Sequence, residues 1–246
     1  MKAVILAAGK GTRMKDLTDE LPKPMLSVRG RPILEHIVEG ILSAGIQEIC
    51  LVTGWKAEVI EDHFGDGERL GARISYVRQA VPDGTGKAPE LARDFLGGDS
   101  FLLTYGDILV QPETYSSMLA RFAEKDFSGL ITVTEGQDVT KGAVNLFDAK
   151  FCLKRIVEKP SAEQVAQMQQ DGHLKEGDPV WYNAGIYMFT TDLFRFTEGL
   201  EKSPRGEYEL PDAINEMLQS GLEIAGLRIA GDWVDVRDQD ILKSLK

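Results

Sequence analysis

Asp107 closes the run "SFLLTYGD", and Asp235 sits inside "DWVDVRD" between Val234 and Val236. A carboxylate at the tip of a buried strand is suited to hold a hard divalent cation such as Mg²⁺ against phosphate oxygens. The valines flanking Asp235 pack on one face of an extended segment, so the carboxylate points to the opposite face. A charge placed this way on an interior strand is costly unless it is paired or bound to metal. Asp232 and Asp238 serve as exposed comparisons. Taken singly, each of the two aspartates is equally well read as a solvated strand end.

Cations stand elsewhere in the chain. "VILAAGKGTRM", residues 4–14, turns abruptly from an apolar strand to glycine, lysine, threonine and arginine. The backbone N–H groups of Gly9, Gly11 and Thr12 can curl round an anion, and the Arg13 guanidinium can grip phosphate oxygens two at a time. Spacing excludes two familiar phosphate motifs. A dinucleotide fingerprint needs a third glycine where Met14 stands, and Gly9-Lys10-Gly11-Thr12 does not supply a Walker loop. In "LPKPML" (21–26) two prolines hold Lys23 in a stiff extended segment, as a fixed cation over a polyphosphate.

Other side chains suit a base and a sugar. Gln79 opens "QAVPDGTGKA" (79–88), and its amide matches the donor–acceptor edge of uracil or thymine. Gly84, Thr85 and Gly86 allow the backbone to approach that base and to start the next helix. Glu158 and Lys159 end "FCLKRIVEKP", while Asn183 and Gly185 interrupt the aromatic run "WYNAGIYMF" (181–189). A carboxylate and an amide can bind sugar hydroxyls, and the lysine can neutralise a sugar phosphate. Each cluster also has a plain structural reading: a tight turn, a solvated loop lysine, a glycine-rich connection, a core of tyrosines and Trp181.

Such side chains need elements to hold them. "AVILA", "EICLVTG", "RISYV" and "SFLLTYGD" read as strands, and between them "RPILEHIVEGILSAG", "KAEVIEDHF" and "APELARDFL" read as helices. In the first helix Ile33, Leu34, Ile37, Val38, Ile41 and Leu42 share a stripe, with Gly45 as the stop. This alternation predicts an α/β fold: a Rossmann-like, doubly wound mixed sheet, mostly parallel, with helices on both faces. Ligands of such sheets bind beyond the carboxyl ends of the strands, where the clusters lie. The second half is less regular, with extended segments at "SGLITVTE", "GAVNLFD", "FCLKRIVEKP" and "VWYNAGIYMF", a polar helix at "AEQVAQMQQDG", a helix at "PDAINEMLQSG", short strands at "LEIAGLRI" and "DWVDV", and a terminal helix. The expected organisation is one domain over 1–246, with a nucleotide-binding half to about residue 110 and a smaller acceptor-binding subregion over about 111–246.

Composition narrows the class. The chain has 246 residues, 28 Lys and Arg against 39 Asp and Glu, and a formal net charge of -11. An acidic surface argues against a nucleic-acid partner, which needs a basic face to neutralise phosphates. No run approaches a membrane span, and the N-terminal apolar run is short for a signal core, so no membrane partner and a cytoplasmic location are expected. Cys50 and Cys152, without paired spacing, read as buried thiols. His36, His63 and His173 suggest no nucleophile–histidine arrangement.

In this order, the opening loop through "PKPML", "GRPILEHI", "GTGKA", "YGD", "EKP", "YNAGIY" and the final W-x-D-V resemble the sugar-1-phosphate nucleotidyltransferase family, the NDP-sugar pyrophosphorylases, across nearly the whole chain. Each motif is weak alone; their ordered conjunction is specific. Asp16 stands where many members have proline, and Lys87 adds charge to "GTGKA". The chain ends soon after Asp235, so an appended β-helical acetyltransferase domain is not expected. The resemblance implies attack of a sugar 1-phosphate oxygen on the α-phosphorus of a nucleoside triphosphate, with pyrophosphate leaving. It implies Arg13 and Lys23 as catalytic cations, Asp107 and Asp235 as Mg²⁺ ligands, and Ala8, Gly9, Gly11, Thr12, Gln79, Gly84 and Thr85 around the nucleotide. Gly142, Glu158, Lys159 and Asn183 then surround the sugar phosphate. Gln79, five residues before Gly84, favours UTP, with dTTP next. The sugar is expected to be glucose 1-phosphate or an N-acetylhexosamine 1-phosphate, and a homo-oligomer is left open. Three rivals remain: another phosphorylated acceptor such as phosphocholine, a glycosyltransferase, and a non-enzymatic nucleotide or sugar sensor. Ile108 after Asp107 breaks the Asp-x-Asp mark of the glycosyltransferase, and the intact Lys23, Asp107 and Asp235 argue against the sensor.

Overall fold

The computed structural model describes residues 1–172, 174, 177 and 179–245. In chain order the first half holds β1 (Lys2–Ala7), a hairpin of β2 (Ser27–Val28) and β3 (Arg31–Pro32), α1 (Ile33–Ser43), β4 (Glu48–Thr53), α2 (Ala57–Phe64), β5 (Arg73–Arg78), α3 (Arg93–Leu96) and β6 (Phe101–Tyr105). There follow β7 (Ile108–Val110), α4 (Glu113–Phe122), β8 (Gly129–Thr134), β9 (Ala143–Phe147), β10 (Leu153–Glu158) and α5 (Ala162–Gln170). The chain closes with β11 (Trp181–Phe189), α6 (Phe194–Thr197), α7 (Leu210–Gln219), β12 (Ile224–Arg228), β13 (Trp233–Asp235) and α8 (Gln239–Ser244).

Nine strands form the main sheet in the order β10-β9-β11-β6-β1-β4-β5, with β8 joining at β11 and β12 at β8. β1 pairs in parallel with both β4 and β6, Val4 lying opposite Cys50 on one side and Leu103 on the other. All strands of this sheet except β10 and β11 run in one direction, so the expected mixed, mostly parallel sheet is present. Both faces of β1 are covered. Ile5 packs with Ile33, Leu34 and Ile37 of α1, while Val4 packs into the cluster holding Leu210, Ile214 and Met217 of α7. This is why β1 reads as continuously apolar rather than alternating.

Some elements differ from expectation. "APELARDFL" gives a 3₁₀ segment, Ala88–Ala92, followed by the single turn of α3, which Gly97 ends at φ 58. Helix α4 has no counterpart in the sequence reading; it buries Thr114, Tyr115 and Met118, and Tyr115 packs where a Cβ on Gly40 of α1 would stand. Asp235 does not lie on an interior strand of the main sheet. It belongs to a separate two-stranded ribbon, β13 with β7, because β13 follows the turn after β12 and pairs antiparallel with the segment leaving Asp107. Asp238 is half-buried rather than exposed, since its side chain caps α8 by accepting from the N–H groups of Asp240 and Ile241. Cys50 is a buried free thiol and Cys152 a half-buried one. Among the described residues no helix is long and apolar enough to cross a membrane.

Candidate active site

Beyond the carboxyl ends of β1, β4 and β6 opens a cleft of about 460 Å³. Its first wall is the turn after β1, held from two directions. The Trp55 N–H donates to Ala8 O (3.1 Å), and the Trp55 indole N–H donates to Thr18 O (3.2 Å). Gly54 permits that approach, because a Cβ there would lie 2.7 Å from Ala8 O. Gly11 has φ 71, a left-handed conformation natural to glycine, and the stem of Lys23 crosses where its Cβ would be. Ala8, Gly9 and Gly11 line the cleft. Thr12 and Arg13 do not: after Gly11 the chain winds into a 3₁₀ helix whose inner residues are Met14 and Thr18, leaving Thr12 and Arg13 on the exposed side. The charge of Arg13 nevertheless reaches Asp235.

At the centre, Lys23 Nζ lies 2.5 Å from Asp107 Oδ2, with the lysine side chain 12% and the aspartate 25% exposed. Gly106 makes this meeting possible, since Pro24 packs 3.2 Å from the position of its missing Cβ. The ribbon brings in the second carboxylate. Asp235 pairs across from Ile108, and the Val236 N–H donates to Asp107 O at 3.0 Å. Burial, then the neighbouring charge of Asp107, pushes the Asp235 carboxyl up to about 6, against the pull of Lys23, Arg237 and Arg13. Two carboxylates that repel each other in a half-buried cleft could supply part of the donor set of a hard cation. No group of three His, Cys, Asp or Glu side chains able to cage a metal occurs among the described residues. Two carboxylates alone cannot cage a metal, so a cation held here would need further donors.

Another wall is the loop that follows β5. The Gln79 N–H donates to Thr53 O (2.8 Å), and its side-chain Nε2 reaches Gly84 O at 3.4 Å. Gln79, Gly84 and Thr85 line the cleft. The glycines also have a packing role that spacing did not suggest. The Tyr208 N–H donates to Asp83 O and the Gly86 N–H donates to Tyr208 O, both at 2.8 Å, so Tyr208 backbone fills the space beside Gly84.

On the far wall, Glu158 ends β10 and Lys159 takes a left-handed φ of 42 while its N–H donates to Gly142 O (3.0 Å). Glu158 Oε1 accepts from Arg205 (3.3 Å), and Arg205 also donates to Glu209 Oε1 (2.7 Å). Asn183 is largely committed within the protein: its Nδ2 donates to the Tyr187 hydroxyl (2.7 Å) and its Oδ1 accepts from the Gly185 N–H (3.1 Å). This local turn coincides with a register shift of β11 against β8. Gly142, Glu158, Lys159 and Asn183 all line the cleft. So do Arg205, Glu207, Glu209 and Tyr182, which the sequence reading missed. The charge-dense "SPRGEYEL" between α6 and α7 was the available signal for the first three. Tyr182 was hidden because an aromatic residue on a strand reads as core. Tyr187 is core, fully buried.

The histidines take no part here. His63 and Arg69 both bind Glu35, at 2.7 and 3.0 Å, tying α1 to α2 and the loop after it. His36 meets Val28 O, and His173 lies outside the described residues.

A sequence model of the family described as nucleotidyl transferase matches residues 2–242. The chain is 35% identical over 236 residues to bifunctional protein GlmU of Methanococcus aeolicus, covering 96% of this chain and 51% of that protein. It is 32% identical over 246 residues to the low-salt glycan biosynthesis nucleotidyltransferase Agl11 of Haloferax volcanii, covering 99% of this chain and 65% of the relative. It thus spans between half and two thirds of these relatives' length. Among solved structures, a UDP-glucose pyrophosphorylase complexed with UDP-glucose superposes with a TM-score of 0.83 at 22% identity, covering 99% of this chain and 96% of that one, a likeness of fold.

Proposed function

The chain belongs to the nucleotidyl transferase family, and from that premise we propose that it joins a nucleoside triphosphate to a sugar 1-phosphate, forming an NDP-sugar and releasing pyrophosphate. The observation that carries this reading is the meeting of Lys23, Asp107 and Asp235 in one cleft, facing the Glu158–Arg205 wall. The nucleophile is already an anion, so the reaction needs no histidine base; it needs two polyanions aligned and their charge neutralised.

Each wall has a task. Backbone N–H groups of the turn through Gly9, Gly11 and Thr12 cradle the triphosphate, with Arg13 reaching over from the rim. Lys23 neutralises charge developing between the α-phosphorus and the leaving pyrophosphate. Asp107 and Asp235 would hold Mg²⁺, which when bound supplies Lewis-acid stabilisation of phosphate oxygens. Glu158 orients sugar hydroxyls and Lys159 takes the acceptor phosphate. The half to about residue 110 serves the nucleotide and the remainder the acceptor, with Asp235 returning from the second half to the first. The free thiols are consistent with a reducing compartment, and cytoplasmic residence goes with this reading.

A pyrophosphate-release assay of five triphosphates against sugar 1-phosphates and phosphocholine, with Mg²⁺, tests the assignment. Turnover is expected with UTP, then dTTP, and with glucose 1-phosphate or an N-acetylhexosamine 1-phosphate. Silence with folded protein across the panel refutes the enzyme, and turnover confined to phosphocholine refutes the sugar.

For the base, Gln79 is the discriminating residue, as donor and acceptor together. Gln79→Glu replaces a donor with a charge opposite the pyrimidine edge, and should raise KM for UTP about tenfold, the scale of one hydrogen bond lost beside a charge. An unaltered KM for UTP removes Gln79 from base recognition.

A further inference from the structure

Tyr182 is 5% exposed and lines the acceptor side of the cleft, yet its hydroxyl has no hydrogen-bond partner among the described residues. The side-chain atoms that are sealed from solvent without a partner belong to Glu90, Thr114 and Asn145; the Tyr182 oxygen is not one of them, because it opens on the cleft. A phenol hydroxyl that opens on the cleft with no partner in the protein is free to bond a ligand bound there.

The hydroxyl is also held in place. Backbone pairing fixes Tyr182 between Thr134 of β8 and Val144 of β9. The Trp233 ring meets its ring edge-on, centroids 5.7 Å apart at 65°, and the Trp233 indole N–H is itself anchored on Ala184 O (2.8 Å). Gly142 lacks a side chain where one would collide with the phenol oxygen. Burial and then the charge of Asp235 keep the phenol protonated, with Glu158 adding to the same effect. It is therefore a donor that feels the charge of both the Asp235 carboxylate and the Glu158 carboxylate of the far wall.

We propose that Tyr182 Oη donates a hydrogen bond to the acceptor, at the oxygen on the sugar carbon adjoining the anomeric phosphate, and so helps select the sugar. The assignment rests on the nucleotidyl-transfer reading above and adds to it a binding role for the first residue of "YNAGIY", which that reading leaves without a task.

The test compares wild type and Tyr182→Phe, an isosteric change, on glucose 1-phosphate and 2-deoxyglucose 1-phosphate, with whichever triphosphate the wild type uses best. The variant should raise KM for glucose 1-phosphate about tenfold, as expected for one lost hydrogen bond, and leave the triphosphate KM within about twofold. Wild type should lose a similar factor on the 2-deoxy sugar, and the variant should hardly distinguish the two sugars. Gly142→Ala, which drives the hydroxyl from its position, should give the same split between the two KM values. An unchanged sugar KM overturns the proposal, as do additive penalties of the variant and the 2-deoxy substrate, or a parallel rise of both KM values with a falling Tm. Wild-type silence with every sugar 1-phosphate removes the parent reading and this residue's role together.

Discussion

Asp235→Asn should lose turnover roughly 10²- to 10³-fold, the scale for removing one charge-stabilising group, while making the metal-free protein more stable at pH 7.5. The two effects share a cause. Burial and the facing charge of Asp107 raise this carboxyl from 3.8 to about 6. A carboxyl that holds its proton more tightly in the folded chain than in the unfolded one makes the folded state lose stability as pH rises from about 4 to about 6, and the loss is complete above that window. The full gap corresponds to about 3 kcal/mol. With the side chain 22% exposed, solvent screening leaves roughly 1 kcal/mol, or a rise in Tm of about 2–4 °C in a domain of this size. Asparagine removes the repulsion, so the gain should be present at pH 7.5 and absent near pH 4. Calorimetry in EDTA at both pH values, beside a turnover assay, tests the claim. A Tm at pH 7.5 equal to or below wild type refutes the strained carboxylate pair, and turnover within fivefold refutes its role in the chemistry.

That strained pair marks the limit of what the sequence discloses. The strands and helices of the first half are legible because their burial is local. Val4 and Ile5 face opposite helix layers, and the α1 stripe from Ile33 to Ile41 repeats at helical spacing. The turn at Gly9 and Gly11 is legible for a similar reason, since two closely spaced glycines break a buried strand and free the backbone to curl. Helix α4 was legible in the same way and was missed: Tyr115, Met118, Leu119 and Phe122 stand at i, i+3, i+4 and i+7 and pack on the core. The two aspartates can be named from their strand-end positions, but their meeting depends on pairing between β13 and β7, which local periodicity does not encode. Arg205 is a sharper case. It acts on Glu158 only because Tyr208 backbone docks beside Gly84 and Gly86 and draws its loop onto the cleft. Tyr182 and Tyr187 look alike in one strand, and only the fold separates the cleft-lining residue from the core one.

Lys23→Met should produce two opposite changes: kcat/KM falling roughly a hundredfold, as when one oxyanion-stabilising group is lost, and Mn²⁺ binding to the nucleotide-free protein tightening about tenfold. The Lys23 ammonium lies against Asp107 at 2.5 Å, so a cation arriving at the two carboxylates must displace it. Unit charges about 4 Å apart interact by about 4 kcal/mol at an effective dielectric of 20, so recovering even a third of that amounts to tenfold in affinity. Methionine keeps the stem that crosses Gly11 and deletes only the charge. The remaining cations are poor substitutes, because Arg237 stands 4.0 Å from Asp235 and Arg13 is exposed. Titration of Mn²⁺ followed by electron paramagnetic resonance reads the binding step apart from turnover. Equal or weaker binding in the variant would mean that the ammonium does not compete for the carboxylates. Tighter binding with lost activity would mean that Lys23 guards Asp107 until a triphosphate offers it a better partner, so that cation and nucleotide each favour the arrival of the other. The same lysine would then suppress non-productive metal binding and stabilise the leaving pyrophosphate, one charge exchanging a carboxylate for a phosphate.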